Sequence, residues 1–181
     1  MTARPKRKKI VEAAPLPLYL DLGAGKNVRE GFIGVDIMKG ADIECDLFKT
    51  PWHWRTDSVD GINVSHFLEH VPDMIAFMNE CHRIMKQGAQ MMVVAPYYSS
   101  VRCWQDPTHL NAISEVSFLY YNKAWREQNS LDHYPITADF DFTFGYAFDP
   151  YWAAKSQEAR DFALRFYINV VSDIQVVLTK R

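Results

Sequence analysis

The chain has 181 residues, of which 48% are hydrophobic and 23% charged, with a formal net charge of −2. This composition is typical of a foldable globular domain and excludes an intrinsically disordered chain. The apolar runs are too short to cross a bilayer, and the basic N-terminus lacks the apolar stretch of a signal peptide, so we expect a cytoplasmic protein without a membrane partner.

The N-terminal segment, residues 1–15, differs in charge from the rest of the chain. Five basic residues between positions 4 and 9, against Glu12, give it a charge of +4, which leaves −6 for the remainder. We predict a solvated, disordered tail here, and the alternative is a tether for nucleic acid or an acidic partner. Residues 16–181 are predicted to form a single domain, whose negative charge disfavours a nucleic-acid partner.

The three cysteines are Cys45, Cys81 and Cys103, an odd number with no Cys-x-x-Cys pair. We interpret them as reduced thiols, as expected for a protein of the cytoplasm.

Five short apolar runs predict buried strands. The first is "LPLYLDLG", which reaches Asp21 and a glycine, and the next two, "FIGVDI" and "ADIECDL", reach Asp36 and Asp46. The fourth, within "SVDGINVSHF", is centred on residues 60–65, and the fifth, "AQMMVVAP", is closed by Pro96.

Between the fourth and fifth runs, residues 72–86 place apolar side chains at helical spacing. Pro72 suits the first helical position, Asp73 suits the first turn, and Gly88 can serve as the C-terminal stop. Strands that alternate with a crossover helix predict a parallel sheet.

The pattern changes in the last third of the chain. Strict alternation in "DFDFTFGYAF" predicts a half-buried antiparallel strand, and "SDIQVVLTK" reads as its partner. A helix is predicted within residues 151–168, where Ala159, Phe162, Ala163 and Phe166 recur on one side. The sheet is therefore expected to finish with an antiparallel pair.

A glycine loop directly follows the first predicted strand. Gly23 and Gly25 allow a sharp turn and a close approach of the backbone to a ligand, at the sheet edge where open α/β sheets bind ligands. The third glycine of a dinucleotide fingerprint is absent, because Val28 occupies its place. Asp36 follows Gly25 by eleven residues, whereas the NAD spacing is about twenty. We therefore expect only a turn or two of helix around residues 26–30. Asp36 can accept hydrogen bonds from both ribose hydroxyls, or it is a turn residue at a strand end.

These ordered motifs, together with "NVSHFLEHVPD" and "FMNECHRIMKQGAQMMVVAP", resemble the class I S-adenosylmethionine-dependent methyltransferases. More closely, the chain is similar to the short bacterial and phage proteins of the type 11 branch. The resemblance implies an α/β, Rossmann-like, doubly wound fold with a mostly parallel seven-stranded sheet and an antiparallel last strand. It also implies S-adenosyl-L-methionine as the cofactor. The residues that it assigns to the cofactor are Asp21, Gly23, Gly25, Asp36, Ile37, Asp46, Leu47, Ser65 and His66.

The same resemblance implies a role for each part of this set. The glycine loop would line the methionine and ribose groups, and Asp36 would hold the ribose. Asp46 and the backbone of Leu47 would face the adenine. Ser65 and His66 would lie beside the sulfonium.

The segment Asp106-Pro107-Thr108-His109 follows the fifth strand and resembles a motif of related short methyltransferases. His109 is the first candidate for a base that faces the substrate, with Asp106 as its orienter or as a substrate contact. His70 is a further candidate on the acceptor side. The alternative is a turn that Asp-Pro opens before a helix at Ser114.

His66, Glu69 and His70 form the pattern H-x-x-E-H, which is the spacing of the inverted zinc-peptidase signature. That signature needs both histidines on one continuous helix. A predicted strand precedes the motif, however, and Pro72 disfavours helical conformation at Val71. We predict a strand-to-helix loop without metal ligands, and keep a zinc hydrolase as a remote alternative.

The predicted function is methyl transfer to an unidentified acceptor, a small molecule or a sugar- or glycan-like substrate. Nucleic-acid bases are disfavoured because "APYY" follows the fifth strand instead of the fourth, and because the chain has no Pro-Cys nucleophile. The alternative is a non-catalytic module that binds the cofactor within an assembly.

Overall fold

The computed structural model describes residues 16–181, so the predicted basic tail, residues 1–15, lies outside the described residues. The strands are β1 (Tyr19–Leu22), β2 (Ile33–Asp36), β3 (Ile43–Glu44), β4 (Val59–Ser65), β5 (Met85–Pro96), β6 (Phe140–Phe148) and β7 (Val171–Lys180). The α-helices are α1 (Met74–Ile84), α2 (Val101–Gln105), α3 (Lys123–Gln128), α4 (Pro150–Ala153) and α5 (Gln157–Phe166), and Leu68–His70 and Glu115–Tyr121 form 3₁₀ helices.

All seven strands belong to one sheet in the order β3-β2-β1-β4-β5-β7-β6. The pairs β1–β2, β1–β4, β2–β3 and β4–β5 are parallel, and β7 is antiparallel to both of its neighbours. The predicted Rossmann-like sheet with an antiparallel last strand is therefore confirmed. The parallel order brings the carboxyl ends of β1, β2 and β4 together at one edge, because parallel strands share a direction.

The core forms where the central strands meet helix α1. Leu20, Leu22 and Ile62 are fully buried in β1 and β4. The predicted apolar stripe of helix α1 faces the core, and its buried residues are Phe77, Met78, Cys81 and Ile84. This packing holds the helix just behind the loop that leaves β4.

The bounds of α1 are tighter than predicted. Asp73 is the N-cap and accepts a hydrogen bond from the Ala76 amide at 2.9 Å, so Pro72 lies outside the helix. The predicted stop at Gly88 is wrong, because the backbone becomes extended at Met85 and enters β5 directly. The predicted turn of helix around residues 26–30 is also wrong, since this connection contains only turns and irregular chain.

The C-terminal strands follow the prediction more closely than the helix between them. Strand β6 is half buried and pairs with β7 throughout its length. The helix predicted within residues 151–168 is broken into α4 and α5. Ala163 is buried, but Phe162 and Phe166 are 56% and 66% exposed, so the predicted apolar side does not face the core. The two rings instead contact each other, with centroids 4.8 Å apart.

None of the helices in residues 16–181 combines the length and the apolar character that a membrane span requires.

His82 gives the stability of the fold a specific pH dependence. Its ring lies edge-on against Phe140 at 5.1 Å, and its buried Nε2 has no hydrogen-bond partner among the described residues. Burial, helped by the charge of Lys180, lowers the pKa of His82. The unfolded chain therefore binds the proton more readily, so stability is full above the unfolded pKa of about 6.5 and falls as the pH drops below it.

We expect His82→Gln to remove part of this dependence. Urea unfolding at about pH 7.5 and about pH 5.5 should show a smaller loss of stability in the variant than in the wild type. His133→Gln, at an exposed histidine, is the control and should behave like the wild type. Equal losses in the wild type and His82→Gln would contradict the assignment.

Candidate active site

A cavity of about 390 Å³ opens at the carboxyl ends of β1 and β4. The residues that line it are Asp21, Ala24, Asn27, Arg29, Asn63, Ser65, His66 and Val94. Its volume lies in the range of small-molecule sites, about 300 to 1,000 Å³. Polar side chains from two neighbouring strands and the glycine loop therefore converge on one cavity.

Asp21 organises the inner wall of this cavity. Its carboxylate is 2% exposed and accepts hydrogen bonds from Asn63 Nδ2 and the Arg29 amide, both at 2.7 Å. Asn63 Oδ1 in turn accepts from Arg29 Nη1 at 3.1 Å, while the guanidinium lies 5.3 Å from the centre of the Phe32 ring. The cationic side chain of Arg29 is thus held at the cavity in the absence of a helix between β1 and β2.

The glycine loop and Asp36 are joined by hydrogen bonds. The Gly23 amide donates to the Val35 carbonyl at 2.8 Å, and the Gly25 amide donates to Asp36 Oδ2 at 2.8 Å. The Met38 amide donates to Asp36 Oδ1 at 2.9 Å. Each carboxylate oxygen accepts only one of these bonds and has a second lone pair for a ligand.

Both glycines have the left-handed backbone that favours glycine, with φ of 70° at Gly23 and 53° at Gly25. They differ in their surroundings. A Cβ on Gly23 would lie 2.1 Å from Cδ2 of Phe67, whereas a Cβ on Gly25 would meet no heavy atom within 4 Å. The first glycine is therefore required by packing as well as by backbone geometry, and the second by backbone geometry alone.

The residues after β2 and β3 form a second part of the sheet edge. Ile37 is 70% exposed, and Leu47 is buried, so Leu47 presents its backbone only. Hydrogen bonds from Lys49 and from the Phe48 amide lower the pKa of Asp46. The Phe48 ring stacks on Phe67 with centroids 5.7 Å apart. An apolar surface and an ionised carboxylate thus lie side by side here.

His66 connects the cavity to the loop that follows β4. It has a φ of 51°, and its amide donates to the Val94 carbonyl at 2.8 Å, which holds it at the end of the strand. Its Nδ1 lies 3.6 Å from Oε1 of Glu69, and this carboxylate raises the pKa of His66. The H-x-x-E-H motif therefore spans a strand end and the 3₁₀ turn Leu68–His70, as the predicted strand-to-helix loop requires.

The loop after β5 brings its own histidine to the same place. The His70 and His109 rings are perpendicular, with centroids 4.7 Å apart. His109 Nε2 lies 4.0 Å from Glu69 Oε1 and 3.9 Å from Asp106 Oδ2, and both distances exceed a hydrogen bond. The carbonyl of Cys103 orients His109 instead, through Nδ1 at 2.9 Å.

Asp106 mainly stabilises its own loop. Its Oδ1 accepts from the Thr108 amide at 2.8 Å and from the Thr108 hydroxyl at 2.7 Å. These bonds lower the pKa of Asp106. Residues 106–109 therefore form the predicted turn, and the same segment brings His109 next to His70 and Glu69.

The predicted residues fall into four groups. Asp21, Ser65 and His66 line the cavity. The glycines and Asp36 form one hydrogen-bonded loop beside it. Of the rest, Ile37, Asp46 and Leu47 follow β2 and β3, whereas His70, Asp106 and His109 gather beyond His66.

The cavity residues that were not predicted from the sequence are Ala24, Asn27, Arg29, Asn63 and Val94. A signal existed for Asn63, because it is a polar residue inside the apolar run of β4. Arg29 lies in a connection without periodicity, and no pattern indicated where its side chain would go.

Comparison with known proteins finds one family model that matches part of the chain. The family model described as Methyltransferase domain matches residues 20–93, from β1 into β5. This segment contains the glycine loop, Asp36, Asp46 and the H-x-x-E-H motif. A search of proteins with curated descriptions found no match.

Solved structures share the fold at low sequence identity. A SAM-dependent methyltransferase from Archaeoglobus fulgidus is 18% identical with a TM-score of 0.62, over 91% of this chain and 86% of that one. The geranyl diphosphate C-methyltransferase of Streptomyces coelicolor is 16% identical with a TM-score of 0.56, over 94% and 72% of the two chains. A possible histamine N-methyltransferase from Thermotoga maritima is 14% identical with a TM-score of 0.55, over 93% and 84%. These likenesses establish a methyltransferase-like α/β fold.

Proposed function

We propose that this protein is an S-adenosylmethionine-dependent methyltransferase of class I, acting on a small-molecule or sugar- or glycan-like acceptor. One observation carries the proposal. The segment matched by the methyltransferase domain model contains all of the cavity residues except Val94, together with the glycine loop and the carboxylates at the ends of β1, β2 and β3.

The chemistry of these residues suits the parts of the cofactor. The free lone pairs of Asp36 can accept from two ribose hydroxyls. Ile37, Phe48 and Asp46 offer an apolar face and an acceptor for the adenine. Arg29 provides a cation that can pair with the methionine carboxylate of the cofactor. A longer connection between β1 and β2 would contain a helix, whose N-terminus could bind that carboxylate instead.

Bound there, S-adenosylmethionine supplies an electrophilic methyl group, and the protein contributes orientation and a dry pocket. Ser65 and His66 line the part of the cavity that leads to Glu69, His70 and His109. This cluster therefore marks the acceptor side. Neutral imidazoles there can accept the proton of an acceptor hydroxyl or bind a cation that acidifies it.

The surface around this cluster supports a small polar-apolar acceptor. Trp104 and Leu110, which flank Asp106 and His109 in sequence, are 70% and 62% exposed. Exposed aromatic and aliphatic side chains can cover the apolar face of a sugar ring or a small organic molecule. The negative charge of the chain argues against nucleic acid.

Two further parts of the proposal concern lineage and location. The order of the motifs supports the short bacterial and phage branch of type 11 methyltransferases. The free thiols of Cys45, Cys81 and Cys103 support a reducing compartment such as the cytoplasm.

Calorimetry with S-adenosylhomocysteine tests cofactor binding. We expect micromolar-range affinity, weakened by about 10-fold or more in Asp36→Ala, because a hydrogen bond to a charged group contributes about 1.5 to 3 kcal/mol. Asp42→Ala is the matched control. Asp42 also accepts a hydrogen bond from a backbone amide, that of Gly34 at 2.8 Å, but it lies at the start of the short β3 strand, at the end away from the cofactor edge. No heat from folded wild-type protein, or equal losses in the two variants, would refute the assignment.

Methyl transfer requires a separate measurement. The protein is incubated with methyl-labelled cofactor and fractionated host extract, and the label is followed into protein, nucleic acid, lipid and small molecules. We expect label in the small-molecule or glycan fraction. Cofactor binding without any transfer would favour the non-catalytic module instead.

A further inference from the structure

Two segments 39 residues apart in sequence meet beside the cavity: the turn Leu68–His70 and the loop that carries His109. The carbonyl of Glu69 accepts the amides of Leu110 and Asn111 at 2.8 and 3.0 Å. The side chain of Asn111 donates to the Val71 carbonyl at 2.6 Å. These bonds hold the two segments in a fixed relative position.

The fixed position assembles a set of potential metal ligands. Glu69, His70 and His109 each offer one ligand atom, and the three atoms lie within 4.8 Å of one another. Ligand atoms around one transition-metal ion are about 3 to 3.5 Å apart, given metal–ligand distances of about 2.1 Å. Small side-chain rotations would therefore bring all three onto one ion.

The carboxylate of Glu69 gives an independent reason for a cation. Glu69 is 1% exposed, and its buried Oε2 has no hydrogen-bond partner among residues 16–181. A carboxylate accepts hydrogen bonds and cannot donate them when ionised, and leaving such an oxygen buried and unpaired is costly. Oε1 is the oxygen that lies 4.0 Å from His109 Nε2, so a cation that contacts both carboxylate oxygens would satisfy Oε2.

The hydrogen bonds of the two histidines prepare them as ligands. His109 Nδ1 donates to the Cys103 carbonyl, so Nε2 keeps its lone pair. The Thr108 hydroxyl donates to Asp106, so its oxygen accepts from His70 Nδ1 at 3.0 Å, and Nε2 of His70 also keeps its lone pair. A second nitrogen that is fixed by a carbonyl or a polar side chain is characteristic of histidines that bind metals.

We propose that Glu69, His70 and His109 bind one divalent cation of the zinc class, whose open coordination positions hold an oxygen of the methyl acceptor. Two imidazoles and one carboxylate form a ligand set of catalytic zinc sites, which keep an open position. The proposed ligands differ from those of the zinc-peptidase pattern. The second histidine ligand is His109, and His66 is left free to face the cavity.

The acceptor role rests on the proposed function. His66 lines the cavity and lies 3.6 Å from Glu69, so the cation would sit between the cofactor cavity and solvent. A hydroxyl bound to the cation loses its proton to water more readily. A lone pair of the resulting alkoxide forms the new O–C bond as the C–S bond breaks, and the electrons of that bond stay on sulfur as a neutral thioether. The favoured acceptors are molecules with two neighbouring oxygens, such as catechols and α-hydroxy acids.

Metal binding can be measured without methyl transfer. The full-length protein is stripped with a chelator and titrated with Co²⁺, which reports coordination through its visible absorption. We expect one equivalent to bind, and Zn²⁺ to displace it. His109→Gln and Glu69→Gln should each weaken binding by about 100-fold or more, since even residues that only support the ligands contribute about 10- to 100-fold. His133→Gln is the control for loss of an exposed histidine.

The same samples separate the two proposals. Each variant is checked by circular dichroism and by binding of S-adenosylhomocysteine, which uses residues other than the three ligands. Wild-type protein that binds S-adenosylhomocysteine but no stoichiometric Co²⁺ would overturn the metal site and leave the methyltransferase proposal intact. Protein that binds stoichiometric Co²⁺ but no S-adenosylhomocysteine would overturn the methyltransferase proposal and leave the metal site intact.

The open positions have their own readout. Acetohydroxamate, a chelator with two neighbouring oxygens, should change the visible spectrum of the Co²⁺-loaded protein. An unchanged spectrum at saturating acetohydroxamate would overturn the acceptor role. Equal Co²⁺ binding in the wild type and in His109→Gln would overturn the ligand assignment itself.

Discussion

Replacing Gly23 with alanine is expected to destabilise the fold by about 2 to 5 kcal/mol. The left-handed backbone costs a residue with a Cβ about 1 to 2 kcal/mol, and overpacking costs about 1 to 3 kcal/mol more. The overpacking arises because the new Cβ would lie 2.1 Å from a Phe67 ring that is itself stacked against Phe48. Urea unfolding followed by circular dichroism measures the change.

Gly25→Ala is the matched control for this prediction. It imposes a similar backbone strain, at a φ of 53°, but a Cβ there meets no heavy atom within 4 Å. Its cost should therefore stay near about 1 to 2 kcal/mol. In the background of Phe67→Ala, Gly23→Ala should cost less than in the wild type, because the colliding ring is gone. Equal costs for both glycines would show that the Phe67 contact is unimportant.

Asp21→Asn is expected to cost about 1 to 3 kcal/mol and to weaken cofactor binding, although the shape of the side chain is unchanged. The carboxylate accepts two hydrogen bonds, from Asn63 Nδ2 and from the Arg29 amide. An amide at position 21 would turn its own NH₂ group toward one of these donors. Rotating the Asn63 amide does not help, because its oxygen is needed by Arg29 Nη1. Every arrangement therefore leaves one pair of donors facing each other.

The double variant Asp21→Asn/Asn63→Asp tests this account directly. It reverses the polarity of the pair: the new carboxylate at position 63 accepts from the new amide and from Arg29 Nη1, and the new amide oxygen accepts the Arg29 amide. We expect most of the lost unfolding free energy to return in urea titrations. A double variant no more stable than Asp21→Asn would refute the proposed polarity, as would a single variant as stable as the wild type.

The strands were largely predictable because their signals are local. Short apolar runs that reach Asp21 and Asp36 identify strands whose carboxyl ends are polar, and parallel pairing brings such ends to one edge. The exact ends of α1 were not predictable. Whether the chain turns at Gly88 or enters the sheet at Met85 depends on pairing with β4, where Val59 lies opposite Met85.

The prediction of which α5 residues face the core was wrong for a related reason. Periodicity in residues 157–166 predicts a helix with an apolar stripe, but not which residues reach the core. In the structure the small Ala163 is the residue of α5 that is buried against the core. The larger Phe162 and Phe166 remain exposed. A small residue at the contact lets a helix approach closely, and the flanking aromatic residues are then excluded.

The sequence by itself determined the sheet, the glycine loop and the carboxylate of Asp36, because these depend on residues close together along the chain. Local signals also placed H-x-x-E-H in a strand-to-helix loop, but the tertiary structure alone decided which residues surround it. A helix would have paired His66 with His70, but the strand end at Ser65 turns His66 toward the cavity. The loop after β5 then brings His109 to Glu69 and His70. These contacts join residues 40 and 39 apart, and they depend on the pairing of β4 with β5, which no local pattern encodes.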